Sequence, residues 1–266
     1  MTSSKRVQLL VSTMKRKDIS WFDKLNSSSD AIIINQCGRK GKTKITHGPN
    51  NILWIDSDDI GLSKSRNMAL DNATGDYLII ADDDLEYIDG YEKIIVESFE
   101  KNPNMDIIVF QVEGIEQVFK NYSKRGKNIS FLGSLHVSSV EIAIRKDSIK
   151  KYNIRFAEEF GAGAKYKMGE ENIFLFDCLK AGMKIYYEPK VIAKLHMNES
   201  TWFSGFNKKY FLDRGAISRK LYGNIIGLFM IMVFAIKNHK KYKSTMNIIR
   251  ALKYMVEGYI EFGKGK

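Results

Sequence analysis

Three consecutive carboxylates, Asp82, Asp83 and Asp84, close the apolar run of GDYLIIADDDLEY (residues 75–87). Like charges this near one another repel and are costly to desolvate, so they need open water or a cation beside them. On an extended backbone, Asp82 and Asp84 point one way and Asp83 the other. Two carboxylates on one side of a strand end can hold a hard divalent cation, Mn2+ or Mg2+, which in turn neutralises a diphosphate. The same three residues also suit an acidic turn. A second acidic pair, Glu170 and Glu171, precedes an apolar run, where acids favour a helix N-terminus. Arg66 offers a guanidinium that forks onto phosphate or carboxylate, or a plain surface position on a helix.

The elements that must position these groups follow from short apolar runs: RVQLLVST (6–13), DAIIIN (30–35), NILWID (51–56), DYLIIA (76–81) and DIIVFQV (106–112). Continuous runs of this length read as buried strands of a mostly parallel sheet. GLSKSRNMALDNATG places Leu62, Met68, Ala69 and Ala73 at helical spacing and stops at Gly75; DGYEKIIVESFEKNPNMD is a second helix ended by Pro103. Alternating strands and helices imply an α/β architecture with ligands at the carboxyl ends of the strands. Further on, VEIAIRKDSIKKYNI reads as a strand then a short helix. Gly161, Gly163 and Gly169 precede a helix over 170–180, and KIYYEP is another strand.

The chain has 266 residues, 44% hydrophobic, enough to bury a real core. Cys37 and Cys178 are far apart with no CxxC spacing, which gives no support to a thiolate zinc site or a disulfide framework. The first apolar stretch is too short for a signal peptide, so the globular part is expected in the cytoplasm. Of the formal charge of +11, nearly all lies in residues 205–266, with 13 Lys or Arg against Asp213, Glu257 and Glu261. A basic tail suits nucleic acid, an anionic membrane surface, or solubility alone. LYGNIIGLFMIMVFAI (221–236) falls short of a spanning helix and reads as buried, re-entrant or interfacial. STMNIIRALKYMVEGYIEF sets Ile248, Ile249, Leu252, Met255, Val256 and Tyr259 on one face and Asn247, Arg250, Lys253 and Glu257 on the other.

The order GLSKSRNMALDNATGDYLIIADDDLEY, with Gly61, Arg66, Asn67, Gly75, Asp76, Tyr77, Asp82 and Asp84 in sequence, resembles family 2 glycosyltransferases of the GT-A fold. A second block, FGAGAKYKMGEENIFLFDCLKAGMKIYYEP, resembles that family's Gly-rich turn, acidic pair, helix end and strand. The resemblance spans roughly residues 5–200. It implies an inverting transfer of a sugar from a nucleotide-sugar, with Asp82 and Asp83 at the donor and Asp82 and Asp84 on the metal. It implies His196 as a further ligand or diphosphate contact, and an acceptor base at Glu171 or Glu170. Ser12 and Thr13 stand where the family meets base and ribose. Asn35 and Gln36 stand where its acidic run would be, and Asp56 partly replaces the missing acid.

These readings combine into an α/β, GT-A fold with a mixed central sheet: a catalytic domain over 1–204, its nucleotide-binding half about 1–112 and its acceptor half about 113–204, and a basic helical extension over 205–266. The expected donor is a UDP-sugar and the expected acceptor a glycan or lipid-linked chain. The extension, over 221–260, is expected to hold the enzyme peripherally on the inner face of the cell membrane, where each basic residue contributes about 1 kcal/mol. No nucleic acid is expected. Two other classes use some of the same residues. A nucleotidyltransferase or phosphoesterase would use the Asp cluster but leaves Glu170 and Glu171 unexplained. A non-enzymatic basic membrane- or nucleic-acid-binding module would account for the tail and for the aromatics among its basic residues at 202–222.

Overall fold

A computed structural model describes residues 5–197 and 205–265. In chain order the elements are β1 (Val7–Met14), β2 (Asp30–Gln36), β3 (Gly41–His47), β4 (Asn50–Ser57), α1 (Leu62–Asn72), β5 (Tyr77–Asp82), β6 (Leu85–Tyr87), α2 (Tyr91–Lys101), β7 (Ile107–Gly114), β8 (Lys127–Asn128), α3 (Phe131–Ser134), β9 (Ile142–Arg145), α4 (Lys146–Tyr152), α5 (Glu170–Lys180), β10 (Ile185–Leu195), α6 (Lys208–Tyr222), α7 (Asn224–Tyr242) and α8 (Ile248–Lys264). They form two compact units: Met1–Glu158 with Glu170–Ser200, and Glu159–Gly169 with Thr201–Lys266.

The first unit is built on one mixed sheet in the order β3-β4-β2-β1-β5-β9-β7-β10-β6, with β8 paired to β10. Strands β4, β2, β1 and β5 run parallel and are buried on both faces, which is why their sequences are continuous apolar runs rather than alternations. Leu9, Val11, Ile33 and Ile79 feed one core layer with Ile95 and Phe99 of α2. Leu10, Ile32, Ile34 and Ile80 feed the other with Ala69 of α1 and Phe174 and Leu175 of α5. Each fully buried Leu, Ile or Phe contributes about 1.5–3 kcal/mol relative to exposure.

The sheet is mixed, as expected: β9 runs antiparallel to both β5 and β7, and β6 antiparallel to β10. Other sequence expectations shift. Strand β3, which pairs antiparallel with β4, escapes the apolar pattern because its residues are mostly exposed. The chain is not extended through the Asp triplet. β5 ends at Asp82 and residues 83–84 turn, so strand alternation no longer fixes where Asp82 and Asp84 point. Gly75 has a packing reason: a Cβ there would sit 2.6 Å from the Gln8 Cβ. Asp76 accepts the Arg6 amide at 2.9 Å, so this Gly-Asp pair joins the starts of β1 and β5, at the end opposite the triplet.

In the second unit, α6 ends at Gly223, whose φ of +72° suits glycine, and α7 starts at once. Helices α6 and α8 meet through glycines. A Cβ on Gly215 would lie 1.8 Å from the Met255 carbonyl, and one on Gly258 2.0 Å from that of Leu212. The apolar face of α8 is therefore spent inside the unit, with Ala251, Met255, Tyr259 and Phe262 buried. Of the aromatics noted at 202–222, Phe206, Tyr210 and Phe211 pack around Tyr242 and Phe234; Trp202 and Phe203 lie outside the described residues. The Gly-rich segment belongs to this unit: the Lys167 amide donates to buried Asp213 at 3.1 Å, and Phe160 and Tyr166 pack on Phe262. Gly258→Val forces the two backbones apart and is expected to destabilise this unit by on the order of 3 kcal/mol. The check is a thermal melt followed by circular dichroism, in which Lys44→Gln, far away in sequence and exposed on β3, serves as the unaffected control.

Candidate active site

The carboxyl ends of β1, β2, β4 and β5 and the first turn of α5 carry the candidate residues. Arg66 projects from α1 and is 1% exposed. Its Nη1 donates to Glu170 Oε1 at 3.0 Å; its Nη2 donates to Ser139 Oγ at 2.9 Å and to Asp82 Oδ1 at 3.3 Å. Phe156 lies under the guanidinium, 5.5 Å from its ring centre, and stacks in turn on Phe174. Burial alone would lower the Arg66 pKa, but the charges of Asp82 and Glu170 outweigh it and hold the guanidinium charged. Asn67, the next residue, pins the chain that leaves α4. Its Oδ1 accepts from the Phe156 amide at 2.9 Å and its Nδ2 donates to the Phe156 carbonyl at 3.0 Å.

Glu171 follows Glu170 in the first turn of α5. Burial, then the neighbouring Glu170 carboxylate, push its pKa up to about 8. Glu170 is the acid that Arg66 holds, and Glu171 is the acid that exchanges a proton near neutrality. A carboxyl tuned this way is suited to general acid–base work. Asp83 faces elsewhere: Arg16 Nη2 donates to its Oδ2 at 2.8 Å and Thr13 hydrogen-bonds the same oxygen. Arg16 also lies over the Trp21 ring at 5.3 Å. Sequence reasoning passed over Arg16 and Ser139, since one sits in an ordinary basic run, MKRKD, and the other in an irregular serine-rich segment.

The strand ends predicted to meet the nucleotide are already hydrogen-bonded among themselves. Ser12 accepts from the Ser65 hydroxyl at 2.8 Å. Asn35 uses both sides of its amide: Oδ1 accepts from the Arg16 amide at 2.9 Å, and Nδ2 donates to the Arg16 carbonyl at 3.0 Å and to Asp56 Oδ1 at 2.8 Å. Gln36 Oε1 accepts from the Gly61 amide at 2.7 Å, ordering the entry to α1. Asp56 also accepts from Trp54 Nε1 and Arg39 Nε, both at 2.8 Å; against burial, which would raise its pKa, these donors lower it to about 2. Lys64 is paired with Asp59 at 3.0 Å near the surface.

The structure brings Asp82 to Arg66 and leaves His196 further along. The His196 amide donates to the Asp84 carbonyl at 3.0 Å, but its ring faces Glu86 at 3.8 Å and Glu116 at 3.7 Å. Among the described residues no three His, Cys, Asp or Glu side chains gather as a metal cage would. Mg2+ and similar ions are commonly held by one or two carboxylates with substrate phosphates supplying other ligands, so this donor set fits a shared site rather than an all-protein one.

The family model "Glycosyl transferase family 2" matches residues 44–171, which contain α1, the Asp triplet and both glutamates. Residues 44–171 thus carry a glycosyl transferase family 2 domain. No curated protein matches the sequence. Among solved structures, S. aureus TarS 1-349 shares 13% identity with a TM-score of 0.63, over 98% of this chain and 92% of that one. TarS 1-349 in complex with UDP-GlcNAc gives 13% and 0.64, over 97% and 89%; in complex with UDP it gives 14% and 0.63, over 95% and 80%. At these identities the likeness is one of fold, and the fold of this glycosyltransferase is GT-A.

The raised Glu171 pKa has a consequence for stability. The folded protein holds a proton that the unfolded chain releases above about pH 4.5, so this group makes stability fall as pH rises from there to about 8, then level off. Glu171→Gln removes that slope. Thermal midpoints at pH 5, 6.5 and 8.5 are expected to decline more steeply in the wild type than in the variant.

Proposed function

We propose that this glycosyltransferase is inverting and moves a sugar from a UDP-sugar to an acceptor hydroxyl. The observation that carries the reading is the Arg66 bridge between Asp82 and Glu170, which ties both carboxylates to one guanidinium and leaves Glu171, its pKa raised by burial and by its neighbour, beside them. UDP-GlcNAc bound to TarS, a protein of the same fold, supports a uridine nucleotide as donor.

In this reading Glu171 takes the proton of the acceptor hydroxyl as its oxygen attacks the anomeric carbon. The bond from that carbon to the diphosphate oxygen breaks, the nucleotide diphosphate leaves with the electron pair, and the configuration inverts. Glu170 acts through Arg66 as a positioning acid. Ser12, Thr13, Asn35, Asp56, Arg66, Asp82 and Asp83 form the donor side, with Asn35 and Asp56 shaping its floor through their mutual bond. Enzymes of this family commonly use divalent metals. A Mn2+ or Mg2+ ion would be held by Asp84, with Asp82 and His196 the other candidates, and would neutralise the diphosphate when bound.

The acceptor is proposed to be a glycan or lipid-linked chain of a bacterial surface polysaccharide, reached from the inner face of the cell membrane. The support is the basic excess of residues 205–266, which suits an anionic surface.

Two measurements test the reading. Glu171→Gln keeps shape and removes the base, so UDP binding by calorimetry is expected within about twofold of wild type while transfer falls by on the order of 10²–10⁴. The wild-type kcat/KM rises with pH to an inflection near 8; a dead Glu170→Gln with an active Glu171→Gln would move the base one residue earlier. Asp84→Ala is expected to abolish the Mn2+-dependent part of thermal stabilisation by UDP, and unchanged stabilisation overturns the metal assignment.

A further inference from the structure

Helix α7 is built inside out for a soluble unit. Gly227, Ile231, Ala235 and Tyr242 face the unit's interior and are buried. At 100° per residue, Ile225, Phe229, Met232 and Ile236 form a single stripe on the opposite side. They are 86%, 58%, 51% and 69% exposed, and Ile226 and Leu228 flank them. The stripe is about 16 Å long and runs along one helix, with no acidic residue in α7. Scattered exposed apolar residues need no explanation, but a contiguous one of this kind marks an interaction surface. No helix among the described residues is long and apolar enough to cross a membrane.

The charge around the stripe identifies its occupant. Lys240 continues the line one turn after Ile236, with Lys237, Lys241 and Lys243 beside it, and these four make no ion pair among the described residues. A second copy of this unit answers them poorly. Of its four acids, three are engaged internally, Asp213 with Lys209 at 2.6 Å, Glu257 with Lys208 at 3.8 Å and Glu261 with Lys165 at 2.9 Å, which leaves the exposed Glu159 against four lysines. An anionic bilayer offers both an apolar layer and a sheet of negative headgroups. Helix α8, whose sequence has the stronger amphipathic pattern, has already spent its apolar face on α6.

We infer that α7 is the membrane-docking element: it lies in the plane of an anionic bilayer with Ile225, Phe229, Met232 and Ile236 in the acyl boundary and Lys237, Lys240, Lys241 and Lys243 at the headgroups. The inference deepens the membrane placement proposed above and does not depend on the donor.

The test is flotation of the full chain with vesicles of equal parts phosphatidylcholine and phosphatidylglycerol, and with vesicles of phosphatidylcholine alone. The wild type is expected to float with the first and far less with the second. Combining Ile225→Ser, Phe229→Ser and Met232→Ser is expected to abolish flotation with the circular dichroism spectrum and UDP binding unchanged. Lys240→Gln with Lys243→Gln lowers partitioning by about fivefold per lysine. Flotation of the triple variant like wild type overturns the assignment. So does a wild type that ignores anionic vesicles, or one that is dimeric by light scattering and becomes monomeric in the triple variant, the latter giving the face to a second copy. UDP binding reports on the transferase reading separately.

Discussion

A single buried guanidinium holds the catalytic unit's chemistry together. Arg66 reaches from α1 to Asp82 at the end of β5, to Glu170 at the start of α5, and to Ser139 between them. Removing Arg66 would leave both acids without their shared partner, a loss of about 3–5 kcal/mol in comparable settings. The three residues therefore stand or fall together. Because α1 and α5 both pack on the same core layer, the carboxylates are set before any ligand arrives. Such preorganisation is what electrostatic catalysis requires, since no reorientation remains for the moment of reaction.

The crowding of three aspartates is solved by dividing them among elements. Asp82 goes to Arg66, Asp83 to Arg16 and Thr13, and the turn at 83–84 leads the chain to β6 and its pairing with β10. Asp82 and Asp83 thus meet different neighbours, so their mutual repulsion is offset by separate cations. The adjacent glutamates are treated oppositely: Glu170 is ion-paired, and Glu171 is left to bear the cost of burial and of its neighbour's charge. Two adjacent carboxyls thus meet different surroundings, and those of Glu171 raise its proton affinity.

Much of this was legible in the sequence. The apolar runs that became β1, β2, β4, β5 and β7 were readable because a strand buried on both faces has no polar alternation. Helices α1 and α5 announced themselves by spacing and by their glycine boundaries. The Asp triplet and the glutamate pair were visible as the groups a transferase would need. What was hidden depended on tertiary partners. Arg16 and Ser139 carry no local signature; only their distances to Asp83 and Arg66 give them meaning. Strand β3 is an exposed edge with no apolar code. In the tail, periodicity marked α8 as amphipathic, but only the structure shows the glycines that press its apolar face against α6.

The doubly bonded amide of Asn35 constrains how this strand end can change over evolution. An aspartate there would turn a donor into an acceptor facing the Arg16 carbonyl, and would set a second carboxylate against Asp56. Asp56 in turn is matched to Trp54 and Arg39, which expect an acceptor. An acid at position 35 would therefore strand a charge beside Asp56. Positions 35 and 56 are thus coupled, and a carboxylate can move from one to the other only if both side chains change together.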